Sequence, residues 1–239
     1  MPEVRWRYIA SLFSYSSSLT RSLTEFAMIT VHGSAVSPFV RKVIVLLTEK
    51  GIDFSINPVS PFPAPKEHLE ISPTGKIPAL TDGDYALPDS SAICGYLEKK
   101  YPDIKLYPDT AEDYGRVLWF EDYADNELVK ATASFFFNRI AVKMMGQKPD
   151  EAIIQKIRDK AEPAVLPYLE KEIGDKEFIV AEQFTMADIA TTCQFVQRLY
   201  AGEPIDAEKY PNIARYVDTH IHRPSFKRWI NKDGFITVE

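Results

Sequence analysis

SPTGKIPALTDGDYALPDSSAI, residues 72–93, sets the frame for the whole chain. Ile77-Pro78-Ala79-Leu80 reads as a short buried strand and Tyr85-Ala86-Leu87 as its partner across an Asp82-Gly83 turn. A helix then opens at Asp89-Ser90, two residue types favoured at helix starts. Pro78 is the odd member. Inside a strand a proline gives up a ladder donor and is ordinarily confined to an edge or a bulge, so its place here calls for a reason beyond sheet formation.

Working outward, Ile29-Thr30-Val31-His32 reads as a strand ended by Gly33. Pro38 opens a stretch with Val40, Val43, Ile44 and Leu47 on one helical face, stopped at Gly51. Phe54-Ser55-Ile56 gives a second strand, and the proline-rich NPVSPFPAPKEH an irregular connection into the opening stretch. The order β-α-β-loop-β-β-α describes a small α/β sandwich over residues 28–102. YPDIKLYPDT, with two prolines, supplies a linker at 103–109, and the strand signals vanish beyond it.

Residues 110–239 read as all-helical. Tyr114, Val117, Leu118, Glu121 and Leu128 predict a long helix to about Gly146. A second runs from Asp150 to Glu172, kinked or broken by Pro163 and Pro167. FTMADIATTCQFVQRLY predicts a third, with Thr185 as N-cap and Asp188 completing a capping box. YPNIARYVDTHI and RPSFKRWI finish the chain's helical half.

Composition narrows the function. The 239 residues carry a formal charge of -6, and an acidic chain without a basic run offers no electrostatic footprint for nucleic acid or an anionic membrane. Cys94 and Cys193 form neither a disulfide framework nor a zinc spacing and suit a reducing compartment. No apolar run is long enough to span a bilayer. The expectation is a cytoplasmic protein. Residues 1–27, serine-rich with Arg5, Arg7 and Arg21, fit neither a secretion signal nor a transit peptide well. Two readings stand for them: Met28 is the true start, or they form a poorly ordered tail.

SPFVRKVIVLLTEKGI, SPTGKIPAL, LPDSSAI, FTMADIA and YPNIARYV…RPSFKR occur in an order and spacing that resembles the cytosolic glutathione S-transferase superfamily, of a serine-type, bacterial-like kind. The resemblance covers nearly everything from Met28 to about Ile230. It implies a thioredoxin-like N-terminal domain followed by a helical-bundle C-terminal domain, a homodimer, and conjugation of the glutathione thiol to small apolar electrophiles without a metal.

The resemblance also gives Pro78 its reason. It implies a cis Ile77-Pro78 bond that turns the Ile77 main chain outward, to pair with the cysteinyl residue of glutathione as an added strand. Asp89 and Ser90 would receive the γ-glutamyl ammonium and carboxylate at a helix N-terminus, and Lys76 would lie near the glycyl carboxylate. Plain capping by Asp89 and Ser90, and a solvated Lys76, are the simpler alternatives.

The resemblance implies a catalytic residue on the first strand–helix turn, here Ser37, an N-cap followed by proline at N1, with Ser34 its rival on the same turn and plain capping by Ser37 the simpler alternative. Neither cysteine falls there, which disfavours mixed-disulfide chemistry. Val36 and Phe39 beside Ser37, with Trp119 and Tyr123 from the long helix, are the candidates for an electrophile pocket; of that helix's aromatic load, which also includes Phe120 and Phe135-Phe136-Phe137, part belongs to the core and part is left to line the pocket. His220-x-His222, with no partner ligands in the sequence, reads as two ordinary helix-end histidines.

Overall fold

Strand β1 (Ile29–His32) lies between β2 (Phe54–Asn57), with which it is parallel, and β3 (Ala79–Asp82), with which it is antiparallel. In this computed structural model, which describes residues 29–230 (the backbone alone for Met144), β4 (Tyr85–Pro88) closes the order β2-β1-β3-β4. The extension 1–27, with Met28, and residues 231–239 lie outside the described residues. Register is fixed by the apolar positions: Val31 stands opposite Ile56 on one side and Leu80 on the other, and Leu80 opposite Leu87. A one-residue slip would turn Val31 and Leu80, both fully buried, to the wrong face.

Helix α1 (Pro38–Glu49) connects the parallel strands. Val40, Val43, Ile44, Val45, Leu46 and Leu47 are all fully buried, as is Arg41, with Lys42 close behind. A helix buried all round has packed layers on both sides: β1 and α3 (Ser90–Lys100) on one, α9 (Met186–Tyr200) on the other. The sheet and the helical half therefore share one apolar core running from Ile29 to Trp229.

Two expectations for this half are corrected. Pro78 stands just ahead of β3, not inside it, so it costs the ladder no donor. The proline-rich connection contains a short helix, α2 (Lys66–Ile71), entered from Pro65. Six residues with one buried side chain, His68, carry too little periodicity to announce a helix.

The predicted long helix is also broken. Helix α4 (Ala111–Asn126) ends at Glu127, a 3₁₀ turn follows (Leu128–Ala131), and Thr132 leaves helical geometry at φ −132°. Helix α5 (Ala133–Phe136), a π turn (Phe137–Ala141) and α6 (Val142–Met144) complete the segment. The break is satisfied from outside: the buried Arg198 donates to the Ala131 carbonyl at 3.0 Å. Helix α7 (Glu151–Lys156) passes through a π turn (Ile157–Ala161) into α8 (Glu162–Ile173), the interruption falling just before Pro163 as its missing N–H requires. Helices α10 (Pro211–Ile221) and α11 (Pro224–Lys227) follow. Among the described residues, no helix is long and apolar enough to cross a membrane.

Candidate functional site

Gly33 ends β1 at φ +151°, a conformation that only glycine takes up without strain, and a Cβ there would meet Ile77 Cβ at 3.2 Å and Val40 at 2.6 Å. The bare backbone thus lets the turn into α1 lie directly against the Ile77-Pro78 loop. On that turn Ser37 is extended (φ −68°, ψ 133°), and its Oγ accepts the Val40 N–H at 3.5 Å, with Pro38 in the first turn. Ser37 N–H donates to Ser34 O at 2.9 Å, and Ser34 Oγ accepts the Val36 N–H at 3.5 Å. No acidic residue occupies the first turn of α1. Its positive end therefore lies beside two hydroxyls with no acidic side chain in its own first turn.

The Ile77-Pro78 bond is cis. The ladder between β1 and β3 ends at the His32–Ala79 pair, so the Ile77 main chain lies beyond the paired residues. Lys76 is exposed, and its carbonyl accepts bonds from His68 Nε2 (2.9 Å) and Ser72 Oγ (2.8 Å). At the foot of β1, His32 Nδ1 accepts from the Asn57 amide at 3.1 Å, and Nε2 donates to Thr81 Oγ1 at 2.9 Å. Burial, with His68 nearby, holds its pKa below the ordinary histidine value.

Asp89 caps α3. Its Oδ1 accepts the N–H groups of Ser91 and Ala92, each at 3.0 Å, and its backbone sits at φ 74°. Ser90 is buried at the first helical position. This end of α3 is joined to α1 and α4 by Lys42, whose ammonium donates to Ser91 Oγ (2.8 Å), Glu121 (3.0 Å) and Asp125 (2.5 Å). Burial works against that charge, but Glu121 and Asp125 outweigh it and hold its pKa above the ordinary lysine range. Tyr107 donates to the far oxygen of Glu121 at 2.7 Å.

The structure does not bring every candidate together. Trp119 and Tyr123 turn to α8: the Trp119 indole donates to Tyr168 OH at 2.8 Å, and Tyr123 OH donates to Val165 O at 2.7 Å. Glu121 and Asp125, on the opposite face of α4, are the residues that meet α1. Val36 is linked instead to the fully buried Arg41, whose guanidinium donates to Val36 O (3.3 Å), Tyr200 OH (3.1 Å) and Cys193 O (3.4 Å). Tyr200 in turn packs on Phe136. The next ring, Phe137, meets Phe62 of the 58–65 loop edge-on at 6.4 Å, and both are exposed.

Phe62, Arg41 and Tyr200 are not among the candidates that the sequence offers, and Phe137 is among them only as one ring of the aromatic run. For Phe62, an aromatic flanked by prolines in a surface loop was the available signal. Both cysteines are buried, and burial pushes the Cys193 thiol up to about 12 and Cys94 well above its ordinary value. His220 is buried with Nε2 donating to Glu177 O, while the exposed His222 turns back to Asp218 on its own helix.

Two family models match the chain: glutathione S-transferase, N-terminal domain over residues 31–105, and glutathione S-transferase, C-terminal domain over residues 130–224. A glutathione S-transferase of Hyoscyamus muticus is 30% identical over 216 residues, covering 84% of this chain and 96% of that protein. A zebrafish (Danio rerio) elongation factor 1-gamma is 28% identical over 158 residues, covering 65% of this chain but 34% of the factor. Among solved structures, a glutathione S-transferase from Rhodospirillum rubrum superposes with a TM-score of 0.78 at 25% identity, covering 86% of this chain and 93% of that one. The fold, both domain models and these likenesses agree: the chain belongs to the glutathione S-transferase family.

Proposed function

We propose that the chain is a glutathione transferase of serine type, joining the thiol of glutathione to small apolar electrophiles. The observation that carries this reading is the meeting of the turn into α1, bearing Ser37, with the cis Ile77-Pro78 loop through the bare backbone of Gly33. The cysteinyl main chain of glutathione pairs with Ile77, Ser90 receives the γ-glutamyl carboxylate, the open side of Asp89 receives its ammonium, and Lys76 lies near the glycyl carboxylate. The active unit is a homodimer in the cytoplasm, with its α/β domain at 28–102, a linker at 103–109 and a helical domain at 110–239.

The chemistry follows from the hydroxyl. A free thiol titrates near pH 8.5, so only a few per cent is thiolate at neutral pH. A serine hydroxyl accepts and donates at once; Ser37 accepts from Val40 N–H and keeps its proton for the glutathione sulfur. That bond and the positive end of α1 favour the thiolate. The sulfur attacks the electrophilic carbon, the C–S bond forms as the leaving-group bond breaks, and the thiol proton passes to solvent. Val36, Phe39, Phe62 and Phe137 form the apolar wall on which the electrophile rests; Trp119 and Tyr123 are not part of it.

A second reading has its own support. The likeness to an elongation factor 1-gamma fits a non-catalytic scaffold on the same fold. Calorimetric titration with glutathione, followed by an electrophile panel, separates the two. Binding with turnover supports the transferase, and binding without turnover supports the scaffold. A chain that binds no glutathione contradicts the site.

A further inference from the structure

Helix α2 packs its one buried polar side chain, His68, against the loop that leads to Pro78. His68 is 3% exposed and Ser72, the residue that ends α2, is 1% exposed. His68 Nε2 and Ser72 Oγ converge on a single acceptor, the Lys76 carbonyl, at 2.9 and 2.8 Å. Each bond has a fixed direction, since a carbonyl can only accept; the histidine therefore carries its proton on Nε2. Both lone pairs of that oxygen are taken. The approach to this point is held as well: Ser72 N–H donates to His68 O and Gly75 N–H to Ser72 O, each at 2.8 Å. At Gly75 (φ +68°) an added Cβ would come within 3.2 Å of Ala64 and 3.3 Å of Leu69.

Two bonds to one carbonyl fix a peptide plane. The Lys76–Ile77 bond is trans, the cis bonds of the described residues being Phe62-Pro63 and Ile77-Pro78. In a trans peptide the N–H points opposite to the C=O. With the Lys76 oxygen held toward α2, the Ile77 N–H must point away from α2, and no hydrogen bond among the described residues engages it.

We infer that His68 and Ser72 are positioning residues that aim the Ile77 N–H at a peptide ligand's carbonyl, so that α2 sets the affinity of the docking edge without touching the ligand. The inference rests on the glutathione reading above. Holding a donor in place before binding raises affinity by removing an ordering cost, so the effect belongs to binding and not to the chemical step.

The test compares His68→Leu, which deletes the donor, with His68→Gln, which offers an amide N–H at similar reach, and with Ser72→Ala. Glutathione affinity is read by calorimetry, steady-state kinetics are run with an aromatic halide, and far-UV circular dichroism and a melting curve check folding. The expected result is a fivefold to twentyfold rise in the Kd and KM for glutathione in His68→Leu, with kcat at saturation changed less than about twofold, recovery in His68→Gln, and a smaller rise in Ser72→Ala. Should His68→Leu fail to fold, Ser72→Ala and His68→Gln carry the comparison: a raised KM in Ser72→Ala beside parental affinity in His68→Gln supports the role. Parental affinity in His68→Leu, parental affinity in Ser72→Ala where His68→Leu does not fold, or a loss in kcat with KM unmoved overturns it. A parent chain that binds no glutathione overturns the reading of the site, and this inference with it.

Discussion

Lys42 on α1 donates its ammonium to the Ser91 hydroxyl on α3 at 2.8 Å, tying together the helices that carry Ser37 and Ser90. The same ammonium meets Glu121 and Asp125 of α4, and it is buried with a side chain 1% exposed. One cation therefore joins three helices across the boundary between the sheet and the helical half.

Removing that cation should cost more than any surface charge would. Lys42→Met leaves two carboxylates facing each other with little water, and breaking a buried pair from one side costs about 3–5 kcal/mol. Burial already raises the Asp125 pKa, with Lys42 opposing it. Without Lys42 the native state binds a proton more readily than the unfolded chain does, so the loss relative to the parent shrinks as the pH falls. Urea unfolding of parent and variant at about pH 8 and about pH 5 checks both points. A loss under about 1 kcal/mol would show that the cluster adds nothing beyond an exposed ion pair.

Asp188 does more than cap its helix. Its carboxylate takes the Thr185 N–H (2.8 Å), as a capping box requires, and also the Thr185 hydroxyl (3.0 Å), the Ile179 N–H (2.9 Å) and the Tyr216 hydroxyl (2.7 Å). An N-cap alone contributes about 0.5–2 kcal/mol. Asp188→Ala strands several buried donors, and a loss of at least about 3 kcal/mol is expected. A melting curve measures it, and a drop no larger than that of Asp150→Ala, a plain surface cap, would contradict the network.

His32 makes stability depend on pH. Its pKa is lowered from 6.5 by burial first and by His68 second. Between the lowered value and the ordinary one the unfolded chain binds more protons than the native one, so stability falls as the pH drops below about 6.5. His32→Gln lacks this titration. The melting-temperature advantage of the parent over His32→Gln should therefore narrow between about pH 7.5 and about pH 5.5. A constant difference across that range would show that His32 titrates alike in both states.

The sequence makes the local parts of this fold legible and leaves the long-range parts dark. Ser37-Pro38, Asp89-Ser90 and Thr185…Asp188 announce their helix starts because capping is decided within four residues. The cis Ile77-Pro78 bond followed from the family resemblance, not from periodicity. The break at Thr132 is supported by Arg198, far along the chain, and Arg41 reaches the Cys193 carbonyl 152 residues away. Such pairings leave no periodic trace. The surroundings of Trp119 and Tyr123 are hidden for a related reason. The sequence places them on one face of α4 but cannot say whether that face meets α1 or α8, and the facing Glu121 and Asp125 decide it through Lys42. The Phe62–Phe137 contact joins a loop to a π turn, neither of which has a sequence pattern to read.

The central claim rests on one hydroxyl. If Ser37 donates to the glutathione sulfur, hydroxyl and helix end together lower the thiol pKa by about two units, or about 2.7 kcal/mol in favour of the anion. The direct measurement is kcat for an aromatic halide as a function of pH, for the parent, Ser37→Ala and Ser34→Ala. Ser37→Ala should lose roughly tenfold to a hundredfold in turnover near neutral pH and show its rate rising at higher pH, with glutathione affinity nearly unchanged, while Ser34→Ala stays close to the parent. A Ser37→Ala chain with parental turnover and a parental pH profile, or a loss that follows Ser34 instead, would contradict the account.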